Sequence, residues 1–206
     1  MNGTTIDFLN VREAAEKRRS IRAYEPDPIP HEDLEEILGV ARLAPSAFNV
    51  QPWRFVVVES PELKAQLGAA AYNQRQVTSA PAVIVLYTDM AESLATIDEV
   101  VHPGMAPEQR TGARSGILDS FAKRTDAERE AWAAGQGNIA LGYLLLAAEA
   151  HGYQTSPMAG FDPAAVKRLL GLPDHVQIPA IVAIGHGAEA GFPHHRHAME
   201  RIVRYA

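Results

Sequence analysis

The chain has 206 residues, of which 47% are hydrophobic, and it contains no cysteine. This length and composition fit one domain with its own core, while the lack of cysteine excludes disulfides, thiol nucleophiles, cysteine zinc sites and iron–sulfur clusters. A formal net charge of −6 argues against a general nucleic-acid binder, because affinity for the phosphate backbone requires an excess of Lys and Arg.

The N-terminal stretch carries no basic segment followed by an apolar one, which is the pattern of a secretory leader. The longest apolar runs, residues 82–87 and 140–148, are too short to cross a bilayer. We therefore expect a cytoplasmic protein with no membrane and no nucleic-acid partner.

The first half of the chain predicts two helices and two strands. Apolar residues at helical spacing predict a helix over residues 31–44, and Ser60 followed by Pro61 predicts the start of a second, short helix. Short apolar, β-branched runs at residues 55–59 and 82–88 predict two buried strands.

Residues 90–125 are the least regular part of the sequence, because prolines and glycines recur there, as at Pro103, Pro107, Gly112 and Gly116. A long irregular segment inside a domain is commonly functional. We expect a lid or insertion at about 90–125.

Residues 126–150 predict the longest helix, with apolar residues on more than one side. Gly135, Gly137 and Gly142 in its interior each cost roughly 1 kcal/mol against alanine. Close approach of another backbone or of a flat ligand would explain them, so we expect a central or dimer-interface helix.

Asp162 and Pro163 predict a short helix that stops at Gly171, and residues 178–184 predict one more strand. Strands separated by helices indicate an α+β or α/β sheet domain. Because no internal repeat or low-complexity linker is present, we expect one domain over residues 1–206.

A basic cluster lies at residues 17–22, Lys-Arg-Arg-Ser-Ile-Arg, where four cations and one hydroxyl occur within six residues. Arginine forks bind phosphate oxygens bidentately and serine adds a donor, so this cluster suits a phosphate group. A solvated basic helix end explains the same residues.

A polar loop follows at residues 44–53, Ala-Pro-Ser-Ala-Phe-Asn-Val-Gln-Pro-Trp, between a predicted helix and a predicted strand. Its amide side chains match the donor and acceptor edge of a flavin-like heterocycle, and its prolines stiffen it. An ordinary connector is the alternative.

Two further segments offer polar groups near predicted elements. The run Asn-Gln-Arg-Gln at 73–76 precedes a strand and suits either a ribityl chain or an exposed surface. The predicted turn at 156–162 leads into a helix, so its backbone N–H groups suit either a ligand or a simple cap.

The run His-His-Arg-His at 194–197 lies near the end of the chain. Three close histidines suggest a metal site, yet no carboxylate or thiol occurs at a recognisable ligand spacing, so we expect no metal. A phosphate contact from Arg196 is favoured instead.

Taken in order, these segments resemble the nitroreductase family across nearly the whole chain. The matching pieces are Arg18-Arg19-Ser20-Ile21-Arg22, Pro45-Ser46-Ala47-Phe48-Asn49-Val50-Gln51-Pro52-Trp53, Asn73 with Gln76, Ala80-Pro81, Pro157-Met158-Ala159-Gly160-Phe161-Asp162 and Arg196. The resemblance implies an α+β fold, a three-layer α/β/α sandwich with a mixed, mainly antiparallel central sheet, in an intertwined homodimer. It also implies FMN as cofactor and NADH or NADPH as electron donor.

The resemblance further assigns a role to each motif residue. The residues implied to hold the FMN phosphate are Arg18, Ser20, Arg22 and Arg196, with His194 where a basic residue is common. Arg19 would contact the flavin ring region through its backbone or side chain. The residues implied to reach the flavin of the partner subunit are Pro45, Ser46, Asn49 and Gln51.

The remaining motif residues would surround the rest of the flavin. Asn73 and Gln76 are implied to bind the ribityl chain or the pyrimidine edge. Met158, Ala159 and Gly160 would present backbone N–H groups to flavin N5 and O4. Many family members carry Glu where this chain has Ala159, which leaves the substrate class and donor preference open.

The resemblance implies a ping-pong reaction, in which a nicotinamide reduces the flavin and leaves before a small acceptor, such as a nitroaromatic, quinone or enone, takes the electrons. No acid–base residue is evident, and no Gly-x-Gly-x-x-Gly follows a strand, so a separate nicotinamide site is not expected. Three alternatives remain open: another flavin reaction on the same fold (dehalogenation, dehydrogenation or flavin destruction), a non-catalytic flavin or anion binder, and a chain without cofactor.

Overall fold

The computed structural model describes residues 8–206, so the first seven residues of the N-terminal stretch lie outside the described chain. The strands are β1 (Trp53–Val58), β2 (Ala82–Thr88), β3 (Gln154–Met158) and β4 (Gln177–Gly185). The helices are α1 (Val11–Lys17), α2 (His31–Ala41), α3 (Pro61–Ala70), α4 (Arg75–Ser79), α5 (Met90–Ala95), α6 (Ile97–Val100), α7 (Pro107–Ala122), α8 (Asp126–Ala150), α9 (Pro163–Leu170) and α10 (Met199–Ile202). A 3₁₀ helix at Ala47–Asn49 precedes β1.

The four strands form one sheet in the order β1-β2-β4-β3, and each neighbouring pair is antiparallel. A parallel bridge between Ser20 and Thr155 places the chain after α1 beside the outer edge of β3. The sheet is therefore mainly antiparallel with one parallel contact, as predicted.

Helices cover both faces of the sheet. Successive strand residues point to opposite faces, so the neighbours of two consecutive residues show what covers each face. Val83 of β2 packs with Leu67 of α3 and Val166 of α9, whereas the next residue, Ile84, packs in a second core with Leu144 of α8. Helix α2 packs against α8 in that second layer. The predicted three-layer α/β/α sandwich is thus confirmed.

Helix α8 is the central helix, since it contacts all four strands as well as α1, α2 and α5. A Cβ atom at Gly137 would lie only 2.7 Å from Cγ2 of Thr88 and 3.1 Å from Cγ of Pro179. Gly135 and Gly142 have open space around the same position. The expected close approach therefore occurs at Gly137, against two sheet residues of the same chain.

The helix predicted over residues 31–44 ends at Ala41, three residues early. The amides of Leu43 and Ala44 bond to carbonyls three residues back, at Val40 and Ala41. The ring of Pro45 disfavours helical geometry at the residue before it, so the chain leaves the helix in a tight turn.

The predicted turn over residues 156–162 was wrong in its first half, because β3 (Gln154–Met158) includes Ser156, Pro157 and Met158. Proline indicated a turn, but here it occupies the edge strand of the sheet, where a missing N–H is tolerated. Only the residues from Ala159 to Asp162 form the turn into α9.

The irregular structure predicted for residues 90–125 was also wrong, since α5, α6 and the 16-residue α7 occupy most of this segment. Pro107 is the first residue of α7, a position that proline favours, while Gly112 and Gly116 are simply tolerated inside it. The role of this segment as a lid stays a prediction.

The other element predictions agree with the structure to within two residues. Strand β1 begins at Trp53 instead of Phe55 and ends at Val58, and β4 is one residue longer at each end than the predicted 178–184. Among the described residues, no helix is long and apolar enough to cross a membrane.

Candidate functional site

The basic cluster and the end of the chain form one shallow pocket of about 210 Å³. Its lining residues are Arg18, Arg19, Ser20, Arg22, Phe192, Pro193, His194, His195 and Arg196. Ser20 is held in place by its bridge to Thr155 on β3, and the amide of Ile21 donates to the Thr155 carbonyl at 3.2 Å. All six residues predicted to bind phosphate or the adjoining ring region therefore lie together.

A glycine allows the C-terminal arm to lie against this cluster. Gly191 adopts a left-handed φ of 69°, and a Cβ atom there would come within 3.0 Å of Cβ of Arg19. Farther along, Nε2 of His194 lies 3.1 Å from the carbonyl oxygen of Ala15 in α1. These contacts bring His194 and Arg196 to the end of α1.

Arg18 has the electrostatic environment of an anion-binding residue. Its Nη1 atom is buried and has no hydrogen-bond partner among the described residues. Burial and the neighbouring charge of Arg196 lower the pKa of Arg18, whereas buried Glu149 acts in the opposite direction. Arg18 lines this pocket together with Arg196, so a phosphate placed there would add a negative charge between two guanidinium groups that otherwise repel each other. The donors present thus fit a phosphate-bearing cofactor.

The neighbouring Arg19 and Arg22 are used differently. Nη1 of Arg19 donates to the carbonyls of Glu16, Lys17 and Arg18 at 2.8–3.0 Å, which caps the C-terminal end of α1. Arg22 is exposed, and its backbone N–H donates to Oε1 of Glu189 at 2.7 Å. The Arg19 side chain is therefore engaged in a helix cap.

A second set of polar residues, around Glu189 and Gln74, lies beside the basic cluster of residues 18–22. Glu189, which accepts from Arg22, also approaches Arg75 of α4 with an Oε2–Nη2 distance of 3.9 Å. Nε2 of Gln74 donates to the Gly160 carbonyl at 2.6 Å, and Nε2 of buried Gln76 lies 3.1 Å from Oε1 of Gln74. The segments 73–76 and 158–160 are therefore in direct contact.

Residues 158–160 end β3 and turn toward α9. Met158 is buried, and its sulfur lies 3.1 Å from Nε2 of Gln76, while Ala159 and Gly160 are exposed. Asn73 is exposed as well, with its amide bonded to the Gly68 carbonyl at 2.8 Å. Asn73, Ala159 and Gly160 thus present exposed groups in the region that Arg75 and Glu189 connect to Arg22.

The loop between α2 and β1 is held by hydrogen bonds of its own. The amide of Ala47 donates to Oε1 of Gln136 in α8 at 2.9 Å, and Nδ2 of Asn49 donates to the Val100 carbonyl at 3.1 Å. Inside the loop, the amide of Gln51 donates to Oγ of Ser46 at 3.0 Å. Pro45, which opens the loop, is exposed.

The backbone of two predicted site segments is strained. Among residues 8–206, positive φ at non-glycine positions occurs at Phe48 (57°), Asn49 (58°), Gln51 (43°), Tyr72 (56°) and Asn73 (56°). Such conformations cost of order 1–3 kcal/mol each and concentrate where a ligand or catalysis demands them. Phe48, Asn49 and Gln51 fall in the loop 45–51, whereas Tyr72 directly precedes and Asn73 opens the polar run 73–76; the sequence singled out both segments for their amides.

The loop and the phosphate pocket lie at opposite edges of the sheet within one chain. Ser20 borders β3, whereas the loop 45–51 leads into β1, and the order β1-β2-β4-β3 places three strand spacings of about 4.8 Å between these edges. The described chain therefore does not gather all the predicted residues around one pocket.

An apolar pocket of about 740 Å³ adjoins the loop. Its lining residues are Phe48, Asn49, Val100, Val101, His102, Met105, Ala113, Gly116 and Ile117. The ring of Phe48 also packs edge-on against Phe121 of α7, with centroids 6.0 Å apart. The segment predicted as a lid thus forms the far wall of a cavity whose near wall is the polar loop.

Two residues in the polar contacts beside the phosphate pocket were not identified from the sequence. Glu189 joins Arg22 to Arg75, yet it lies in an irregular stretch without a motif. Gln74 stands inside the polar run 73–76, so its position was available, but nothing separated it from its neighbours. Their roles depend on contacts between distant segments.

Comparisons with known proteins match nearly the whole chain. The model of the nitroreductase family matches residues 15–186. A protein named NADH dehydrogenase from Thermus thermophilus is 51% identical over 199 residues, which cover 97% of either chain.

Two solved structures share the fold. A protein described as a nitroreductase from Exiguobacterium sibiricum, solved in complex with FMN, has a TM-score of 0.88 and 30% identity, covering 96% of this chain and 98% of its own. The enone reductase CLA-ER, from a gut-bacterial fatty acid saturation metabolism, has a TM-score of 0.86 and 26% identity, covering 97% and 99%. The chain described here belongs to the nitroreductase family.

Proposed function

We propose that this protein is an FMN-dependent oxidoreductase that takes electrons from NADH or NADPH and passes them to a small acceptor. The observation that carries the proposal is a pocket lined by Arg18 and three further arginines, together with the Nη1 atom of Arg18, which is buried and has no hydrogen-bond partner among the described residues. The relative named NADH dehydrogenase and the FMN complex of a structural neighbour support the donor and the cofactor.

The phosphate of FMN is proposed to bind Arg18, Ser20, Arg22 and Arg196, with His194 adding a donor. Charge-assisted hydrogen bonds from guanidinium groups to a phosphate are roughly twice as strong as hydrogen bonds between neutral groups. When bound, FMN supplies the hydride and electron transfer, which no side chain of a cysteine-free chain provides. Arg19 keeps the end of α1 in place beside the phosphate.

The turn at 158–160 and the amides at 73–76 are proposed to hold the rest of the cofactor. Exposed backbone at Ala159 and Gly160 would donate to the flavin edge, where negative charge develops on reduction. Asn73 and Gln76 would bind the ribityl chain or the pyrimidine edge. The contact from Gln74 to Gly160 positions one segment against the other.

The loop residues Pro45, Ser46, Asn49 and Gln51 are proposed to complete the site of a partner subunit in a homodimer. Their position at the opposite sheet edge from Arg18 supports this assignment. An apolar groove of about 350 Å³, lined by residues of α1, α2 and α8 with Val11 and Val40 exposed, supports a second copy as its cover.

The apolar pocket beside the loop is proposed to receive the acceptor, with residues at about 90–125 as its lid. Its volume of about 740 Å³ lies in the range of small-molecule sites, and its lining favours a flat or apolar acceptor such as a nitroaromatic, quinone or enone. The structural similarity to an enone reductase supports an acceptor of this class.

The proposal is tested with the purified protein by its absorption spectrum and by steady-state oxidation of NADH and NADPH with a quinone, a nitroarene and an enone. We expect stoichiometric FMN and turnover whose reciprocal plots are parallel, as in a ping-pong reaction. Bound flavin that neither nicotinamide reduces would indicate another flavin reaction or a non-catalytic binder. A colourless protein that FMN does not reconstitute would refute the proposal.

A further inference from the structure

Three residues that are distant in the sequence meet at the start of α5. Asp89 precedes α5, Glu130 lies in the second turn of α8, and His175 lies in the loop between α9 and β4. One ligand-type atom of each residue lies within 4.8 Å of those of the other two. Asp89 and Glu130 are buried, whereas the His175 side chain is 40% exposed.

Glu130 is held by one carboxylate oxygen and leaves the other unused. Its Oε1 accepts hydrogen bonds from the amides of Met90 at 2.9 Å and Ala91 at 3.3 Å. Its Oε2 is buried and has no hydrogen-bond partner among the described residues, and the whole residue is only 3% exposed. A buried carboxylate oxygen in this condition needs either a proton or a cation beside it.

The other two members of the cluster do not provide enough positive charge. Nε2 of His175 lies 3.1 Å from Oδ1 of Asp89, which also accepts from the Glu92 amide at 2.8 Å. A protonated His175 would balance one carboxylate and leave the second buried charge uncompensated. A divalent cation balances both carboxylates while the imidazole stays neutral and offers its nitrogen.

We propose that Asp89, Glu130 and His175 bind one divalent first-row transition-metal ion of the class of Zn²⁺ or Mn²⁺. Two carboxylate oxygens and one imidazole nitrogen form a ligand set that suits these ions, with further positions open to water. Ligands about 2.1 Å from an ion, at angles of about 90–110°, stand about 3.0–3.4 Å apart. The 3.1 Å between His175 and Asp89 falls in that interval.

The ion would act as a clamp at the base of the segment 90–122. It would join the beginning of α5 to α8 and to the loop before β4, three parts of the chain that are far apart in the sequence. The exposed side of His175 gives the ion an entry path from solvent. Sequence spacing could not indicate this site, because its ligands lie 41 and 45 residues apart.

The test is calorimetric titration of the chelator-treated protein, with its flavin bound, using Zn²⁺ and Mn²⁺ as separate probes. We expect one site per chain, an affinity at least about tenfold weaker in Glu130→Gln, and a rise in melting temperature at a given metal concentration that is smaller in Glu130→Gln than in the wild type. Glutamine keeps the acceptor for the amides of Met90 and Ala91, so the variant should fold. His175→Ala removes an exposed ligand and gives a second test should Glu130→Gln fail to fold.

Two control variants separate this site from others. Glu149→Gln changes another buried glutamate of the same helix, and the double variant His195→Ala, His197→Ala removes two histidines of the C-terminal arm; both should keep the site. Absence of stoichiometric binding by either metal would overturn the proposal. So would equal binding in wild type, Glu130→Gln and His175→Ala, or loss of binding in the C-terminal double variant.

Discussion

Arg18 is the side chain on which the proposed phosphate site depends most, because its buried Nη1 atom has no acceptor among the described residues. Removing it in Arg18→Ala should weaken FMN binding about 10- to 150-fold, since a hydrogen bond to a charged group contributes about 1.5–3 kcal/mol. Titration of the apoprotein with FMN, followed by flavin fluorescence, measures the dissociation constants.

Arg12→Ala is the matched control for that variant. Arg12 lies on the same helix, but its side chain is 85% exposed and pairs with Glu16. The Arg12→Ala variant should bind FMN like the wild type. Equal affinities in Arg18→Ala and wild type, or equal losses in both variants, would show that the phosphate binds elsewhere.

Ala159 tests the other side of the proposed site. It is exposed at the end of β3, and only its backbone is proposed to contact the flavin. Ala159→Glu should therefore change the Michaelis constant for the nicotinamide or the acceptor, because it adds a carboxylate near both, while the FMN dissociation constant stays nearly the same. Parallel steady-state kinetics and FMN titration distinguish the two effects, and expulsion of FMN would contradict the backbone assignment.

At the scale of single residues, the resemblance implied that Arg18, Ser20 and Arg22 would meet Arg196, but it did not show how each side chain is used. The cluster 18–22 lies beside Arg196, as the resemblance implied, because the family motif includes both the basic cluster and the late arginine. The motif does not indicate that Arg19 bonds to the end of α1, or that Glu189 lies between Arg22 and Arg75. Such contacts depend on the particular path of this chain.

Among the elements, the packing of α8 against the sheet can be tested by substituting two of the glycines in α8. Gly137→Ala should lower the free energy of unfolding by about 1–3 kcal/mol, because the new methyl group would lie 2.7 Å from Thr88. Gly135→Ala on the same helix meets nothing within 4 Å and should be neutral or stabilising by up to about 1 kcal/mol. Urea denaturation compares the two, and equal stabilities would contradict the packing described here.

The elements that were predicted well are those whose own residues show both a continuous apolar pattern and clear boundaries. Residues 126–150 and 82–88 match α8 and β2 at both ends, because continuous apolar residues and clear boundary residues coincide there. Pro107 and Pro157 misled the prediction for the opposite reason. A helix start and a sheet edge both tolerate proline, and only the assembled fold shows which residues occupy those places.

For the whole molecule, the proposed shared site predicts complementation between damaged subunits. Arg18→Ala and Asn49→Ala should each impair the homodimer, while a heterodimer of the two would have one site with both changes and one with neither. Co-expressed, differently tagged subunits should therefore regain up to about half of wild-type activity per dimer, since a two-fold dimer forms two equivalent sites.

The complementation test requires that each homodimer is first shown to be impaired. Co-expression of Arg18→Ala with Arg18→Ala, under both tags, serves as its control. Sedimentation as a monomer with full flavin and turnover would contradict the shared site and leave the loop 45–51 as a connector between α2 and β1.

The bridge between Ser20 and Thr155 has a consequence for how the protein is produced. The chain around Ser20 covers the outer edge of β3, and an uncovered sheet edge invites pairing with other chains. If FMN anchors that covering segment through Arg18 and Ser20, protein made where flavin is scarce should expose the edge more often. We therefore expect inclusion bodies to decrease when riboflavin is added during expression, because the cofactor then protects the nascent fold from aggregation.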